Sequence, residues 1–540
     1  MGLSVALQYL AGAYHASFSG YPDEPAHYVT GLLVHDWIAS GFPWPPLQYA
    51  ADYYLHYPKV ALGHWPPAFY MIQAVWTLLF STSRVSVLVL MAVLMSLVAL
   101  MLFRALRDEF GTPAALLAGL LLVALPLNQA WAQNVMADVP VALFTFGAAL
   151  VFGRYLDTGR ARDAAAFGLL ASLAILTKGN GLALAFLPPI ALAISLRFSL
   201  LRRLSFWLPL VIVVVLCGPW YVFTARAVTE TFAQNLGWRY TNAAGGFYAF
   251  HAVRALGLTL LPLVTLGLID RVILPLRRGA VSGLWAAVIG LVLSNWLFHT
   301  VVAAGFEERY LVPVTPVLVM FLVAGAVRLA AAARYLRLAP TIGIAVLAAA
   351  VTVTFAVETF HIPRKTEMGF IRVAADLLGR PELKNSVILV SSEGDGEGML
   401  IAEIAMREQR PGHFVLRATK ALARVDWNGR RQEPYYSTPA ELLGHLDQLP
   451  VGVLVLDLSP GRVVYEHHRL ILETLARYPD RFQLVATVPS QPGVLPRSEI
   501  RVYRLPGNEN PAPGTVILDS KRHLTRWHLR RPRLDFRFAF

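Results

Sequence analysis

Cysteine is nearly missing from this chain: Cys217, inside an apolar run, is the only one in 540 residues. That excludes a disulfide framework and a cysteine-rich metal site. Charge is scarce as well. Only 15% of the residues are Asp, Glu, Lys or Arg, while 56% are hydrophobic and the mean hydropathy is +0.52, which excludes a soluble globule of this length. No nucleotide-binding signature occurs. Gly394-Asp395-Gly396-Glu397-Gly398 lacks the Gly-x-Gly-x-x-Gly spacing, and its acids would repel a pyrophosphate, so it reads as a plain turn. No repeat relates the apolar runs to one another, and no basic stretch precedes the first of them as it would in a cleaved signal.

What is present is a series of runs long enough to cross about 30 Å of hydrocarbon. They fall near residues 1–18, 85–103, 113–133, 139–153, 164–177, 179–196, 205–224, 253–270, 280–304, 310–327 and 338–357, which makes about eleven expected transmembrane helices. The net charge of +13 sorts by side. Alternate loops hold Arg104 and Arg107; Arg154, Arg160 and Arg162; Arg197, Arg202 and Arg203; Arg271, Arg277 and Arg278; Arg328, Arg334 and Arg337. The opposite, longer loops hold only Lys59, Arg84, Lys178, Arg226, Arg239, Arg254 and Arg309. This is positive-inside asymmetry, which assigns the arginine-rich loops to the cytoplasm and the others to the outer face of the plasma (inner) membrane. It also removes nucleic acid as a partner.

The domains expected are a membrane domain over 1–357 with surface helices inside 19–84, an extracytoplasmic α/β domain over 358–506, and a basic tail over 507–540. Residues 25–40 alternate at helical spacing, and Pro66-Pro67 opens a second amphipathic stretch to about residue 80. The loop 225–252 carries interfacial aromatics. Beyond 358, β-branched runs at Ser386–Val390, Val451–Asp457, Phe482–Val488 and Ile500–Leu505 alternate with helical patterns, one opened by the capping box Thr438-Pro439-Ala440-Glu441. Arg, His, Trp and Phe in the tail suit an anionic lipid surface.

Chemistry-bearing residues cluster in the outer loops. Asp23 and Glu24, in Gly20-Tyr21-Pro22-Asp23-Glu24-Pro25, offer a general base beside a second acid, or a helix cap. Asp138 sits between two spans ahead of Pro140. His64, in Gly63-His64-Trp65-Pro66-Pro67, would complete with Asp23 and Asp138 an oxygen- and nitrogen-rich site for a divalent metal cation; a lone interfacial histidine is the alternative. Lys178, in Thr177-Lys178-Gly179-Asn180-Gly181, is either a snorkelling lysine or a phosphate contact. Arg309-Tyr310, after Glu307-Glu308, supplies a second cation at the same depth, or an arginine that only pairs with Glu307 or Glu308.

In their order and sidedness these motifs resemble the family C (GT-C) glycosyltransferases over roughly residues 1–330, nearest to the branch of protein mannosyltransferases, the lipid A aminoarabinose transferase and the Rgt-type lipopolysaccharide sugar transferases. The resemblance implies a polytopic α-helical membrane enzyme that moves one sugar, with inversion, from a polyprenyl-phosphate donor to a glycan, lipid or protein acceptor outside the cytoplasm, without a nucleotide. It implies catalytic roles for Asp23, Glu24 and Asp138 and donor-phosphate contacts from Lys178, Arg309 and Tyr310. His64 falls where the aminoarabinose transferase has a metal-binding glutamate, and Trp65 where it has a lysine. The alternative is a lipid or sugar transporter or flippase, but such proteins place their ionisable residues near the membrane midplane.

Overall fold

The structure is a computed structural model and describes residues 1–61, 63–231, 237–279, 281–332, 340–425, 432–449, 451–459, 465–490 and 498–508. The expected basic tail, past residue 508, lies outside the described residues.

Among the described residues, seven helices are long and apolar enough to cross a membrane: Arg84–Phe110, Asp138–Thr158, Leu204–Ala225, Leu258–Arg277, Gly283–Val301, Glu308–Ala331 and Thr341–Glu358. An eighth is formed if Thr112–Ala124 and Pro126–Ala132, bent by 62°, are one span. The bend has a local cause. Pro126 brings no N–H to the helical ladder, Leu125 turns extended, and the freed carbonyls of Leu122 and Ala124 accept instead from the side chains of Asn128 (2.7 Å) and Gln129 (2.6 Å).

The described count is lower than the eleven runs read from hydropathy. In residues 1–18 the helix covers only Gly2–Leu10 before the chain turns at Gly12. The runs at 164–177 and 179–196 are the 17-residue helix Ala161–Thr177 and a 3-10 turn, Gly179–Ala185, leading into Leu187–Ser195. Apolarity alone marks such short helices as spans. The aromatic stretch read as a loop is largely the helix Trp238–Arg254.

By internal packing the chain forms two compact units. The first holds Met1–Ala11, Gly63–Phe69 and Val89–Pro363, and thus most of the apolar helices. The second gathers Gly12–Leu62, Tyr70–Leu88 and the chain from Arg364 onward.

The second unit is built on a five-stranded sheet. Its strands are β1 (Val387–Ser391), β2 (Val415–Arg417), β5 (Val451–Asp457), β6 (Gln483–Pro489) and β7 (Glu499–Arg504), while β3 (Ala423–Val425) and β4 (Gln432–Pro434) pair separately. The order is β2-β1-β5-β7-β6. β1 lies parallel to β2 and β5, with Leu389 opposite Leu416 and Leu454, and β7 runs antiparallel to β5 and β6. β1 and β5 are buried at every position, so they read as unbroken apolar runs, as strands covered on both faces do. Leu389, Leu454 and Leu456 pack with Leu442, Leu446 and Ile471 from the helices Pro439–Gln448 and Glu466–Arg477. The expected capping box is present, with the Thr438 side chain accepting from the Glu441 N–H.

The same unit includes the helices Glu24–Ala39 and Pro46–His56 from the first long loop. Buried polar contacts tie them to the sheet segment. Lys365 Nζ donates to both oxygens of Glu24, at 2.6 and 2.7 Å, with neither side chain more than 2% exposed. Arg410 grips Asp36 in bidentate fashion at 2.7 and 3.0 Å, Tyr57 donates to Glu408 at 2.6 Å, and Arg84 pairs with the buried Glu403. Burial pulls the Lys365 ammonium below its ordinary pKa, and the Glu24 charge opposes that. Removing one member of such a pair strands a charge without water. Lys365→Met is therefore expected to destabilise the folded protein by about 3–5 kcal/mol, and Lys365→Met with Glu24→Gln by clearly less, as read from unfolding midpoints in nanodiscs.

Candidate functional site

In the first unit, helix ends bring four of the candidate residues together. Asp138 opens Asp138–Thr158, and Lys178 ends Ala161–Thr177 in an extended conformation. The break after Lys178 depends on Gly181, where a Cβ would lie 2.5–2.7 Å from the backbone of Ala174 and Ile175, so no side chain is accommodated as the chain doubles back. Lys178 Nζ donates to Asp138 Oδ1 at 2.6 Å. Asp138 is fully buried, and the Lys178 side chain keeps 10% of its exposure. Lys178 is thus a paired cation and not a snorkelling one.

The same ammonium stands 5.1 Å from the centre of the Tyr310 ring. Arg309 lies over Tyr310 and Trp131, at 5.4 and 5.6 Å, and its Nε is 3.8 Å from Glu307 Oε2. Two cations thus converge on one aromatic ring. His299 stacks on the same ring at 4.6 Å and 8° and is flanked in turn by Tyr248 at 5.1 Å. Asn295 Nδ2 fixes the Tyr310 carbonyl at 3.0 Å. Sequence reading passed over His299, which sits within an apolar helix; its buried ring nitrogens and the Asp138 Oδ2 have no hydrogen-bond partner among the described residues.

His64 is half-buried in the turn before Ala68–Leu79. Among the described residues no group of three His, Cys, Asp or Glu side chains that could hold a metal ion is found, and Asp138 Oδ1 is engaged by Lys178.

In the second unit, Asp23 occupies the N-cap position of Glu24–Ala39 without a side-chain capping bond, so the cap reading of its carboxylate is not what is found. It is half-buried. Glu24 is different: fully buried, it accepts from Lys365 and from the Gly20 N–H at 3.0 Å, which makes it an anchor and removes it as a second catalytic acid. Near Asp23 lie Tyr70 and Lys59, both of which feel its charge. Burial, then the Asp23 charge, holds the Tyr70 phenol protonated well above its usual range. Tyr70 also shares a 2.9 Å hydrogen bond with His27 Nδ1. The Gly394–Gly398 stretch is no plain turn but the first turn of the helix Gly394–Arg407, with Glu397 turned inward to accept from Arg417 Nε and the Thr419 N–H, each at 2.9 Å.

Asp138→Asn is expected to leave the Lys178 ammonium without its counter-ion and to lower stability by about 3 kcal/mol or more, whereas Asp138→Asn combined with Lys178→Met recovers most of the loss; unfolding midpoints of the three variants give the comparison.

Comparison with known proteins adds the following. Residues 64–223 match the family described as dolichyl-phosphate-mannose-protein mannosyltransferase. No curated protein matches the sequence. The structure resembles ArnT from Cupriavidus metallidurans in the apo state (TM-score 0.60, 16% identity, 94% of this chain and 98% of that one). It also resembles the same protein bound to undecaprenyl phosphate (TM-score 0.55, 15% identity, 94% and 98%). A third likeness is to the Archaeoglobus fulgidus oligosaccharyltransferase tethered with an acceptor peptide (TM-score 0.50, 13% identity, 95% and 74%). The likeness is one of fold: a polytopic helical body like that of ArnT and the archaeal oligosaccharyltransferase, with a C-terminal unit built on a small sheet.

Proposed function

We propose, proceeding from the GT-C fold, that this chain transfers one sugar from a polyprenyl-phosphate donor to a hydroxyl or amine of a glycan, lipid or protein acceptor at the outer face of the plasma membrane, inverting the anomeric centre. The observation that carries the reading is the pair of cations, Lys178 and Arg309, both held over the ring of Tyr310 at the ends of apolar helices. A lipid-borne phosphate is the anion that a membrane-embedded protein meets at such a depth. The likeness to a structure holding undecaprenyl phosphate supports the same donor class.

Direct displacement at the anomeric carbon breaks the sugar–phosphate bond, whose electron pair leaves with the phosphate, and forms a bond to the acceptor oxygen or nitrogen. The departing phosphate gains charge, which Lys178 and Arg309 stabilise. The acceptor loses a proton, which Asp23 takes as general base. Of the two neighbouring acids Asp23 is half-buried and Glu24 fully buried against Lys365, so Asp23 is the one a substrate can reach. Asp138 keeps Lys178 in place. The outward placement of Asp23 and of the α/β unit follows the arginine asymmetry of the loops.

Asp23→Asn is expected to lower kcat by about two to four orders of magnitude, as loss of a general base does, with membrane insertion and the unfolding midpoint unchanged. The assay is transfer from a radiolabelled polyprenyl-phosphate sugar, and near-normal turnover would remove Asp23 from the base role. In the stable background of Asp138→Asn with Lys178→Met, the apparent KM for the lipid donor is expected to rise by about tenfold or more, the equivalent of one lost ionic contact; an unchanged donor KM would take Lys178 out of phosphate binding.

A further inference from the structure

The second unit contains two lysines drawn into its interior, and they differ in one respect. Lys365 is saturated by both oxygens of Glu24. Lys59 is not. Among the described residues its ammonium makes one hydrogen bond, a long one of 3.3 Å to the Gly394 carbonyl, although an ammonium has three donors to place. The side chain is half-buried and threads between helices: a Cβ at Gly398 would come within 2.8 Å of Lys59 Cε and 3.2 Å of Pro25 Cβ. Only glycine at 398 leaves that passage open. Lys59 thereby reaches the first turn of Gly394–Arg407 on one side while facing the charge of Asp23 on the other.

The charged groups around it are Arg417, Asp395, Asp23 and Glu397. Glu397 is already held by Arg417 and Thr419, and Asp395 is half-exposed in the first helical turn. Burial and the repulsion of Arg417 outweigh these acids and hold the Lys59 ammonium down to about 8. Burial of a charge that its surroundings do not repay costs stability, and such a group gains when a counter-ion arrives.

We propose that Lys59 is an anion-binding residue beside Asp23, taking an oxygen of a phosphate ester on one of the two reacting partners. The proposal rests on the transferase reading and extends it. Lys59 orients its ligand and takes no proton in the reaction, which leaves Asp23 free as base.

Full-length protein in nanodiscs is acylated with an amine reagent at pH 8, and Lys59 and the exposed Lys384 are quantified by peptide mass spectrometry. Undecaprenyl phosphate is expected to slow acylation of Lys59 by about fivefold or more, a protection that follows directly from site occupancy, without slowing Lys384. Protection by the lipid alone assigns the site to the donor phosphate; protection by inorganic phosphate as well assigns it to any phosphate group, the acceptor's included; protection by neither overturns the proposal. Lys59→Met is expected to raise the KM for that phosphate-bearing partner by about tenfold, with kcat nearly unchanged. Lys59→Arg restores it and removes the weakening of binding that the native protein shows as pH rises through about 8. The unfolding midpoint of Lys59→Met at pH 7 is expected to hold or rise, since the depressed pKa means that the protonated lysine is a burden on the folded state below that pH. A lowered midpoint with both KM values unchanged marks a structural lysine and also overturns the proposal. Were the native protein to transfer no sugar from any polyprenyl phosphate, the transferase reading would fall; transfer that is indifferent to Lys59 removes this inference alone.

Discussion

A carboxylate and an ammonium separated by 341 residues, Glu24 and Lys365, meet in a site that water does not reach. Neither charge is tolerable there without the other. That requirement fixes where the chain must return after its apolar helices: Lys365 follows the last of them within a few residues. Around the pair, Asp36 with Arg410 and Tyr57 with Glu408 repeat the same long-range pattern. The helices of the first long loop are consequently part of the sheet-bearing unit, and Asp23, next in sequence to Glu24, is held on a rigid body and not on a mobile loop. For a residue that must present a carboxylate to a substrate within a fraction of an ångström, such support is what positioning requires.

The two units show two uses of a lysine–carboxylate pair. Glu24–Lys365 is closed, with all strong acceptor sites spent on the partner and on the Gly20 N–H. Asp138–Lys178 is different: Lys178 bonds to one oxygen of Asp138 and its ammonium also stands over the Tyr310 ring. A closed pair stabilises one arrangement of the backbone.

How much of this was legible in the sequence depended on range. Strands β1, β5, β6 and β7 lie within one residue of the β-branched runs that announced them; β1 and β5, buried at every position, carry the unbroken apolar code of strands covered on both faces. The three-residue strands β2, β3 and β4 are too short to carry any such code. Thr438 and Glu441 were readable because a capping box is local. Pairings were not. Nothing in the order of residues couples Asp138 to Lys178 across 40 positions, so the lysine read equally well as snorkelling, and Asp138 as a metal ligand. Glu24 likewise reads as a second catalytic acid until Lys365 is set against it. Hydropathy counted spans too generously, because a 17-residue helix and a broken one are as apolar as a full crossing.

The assembly of the second unit from three separated stretches of chain sets an order on its biogenesis. Gly12–Leu62 leaves the ribosome first, yet its buried acid has no counter-charge until Lys365 has been made and every intervening helix has been placed. A nascent chain interrupted anywhere in between carries an orphaned glutamate and uncovered apolar helix faces, the kind of unfinished surface that proteolytic surveillance recognises. Only a chain threaded as far as Lys365 in the correct sense can neutralise the charge laid down at Glu24.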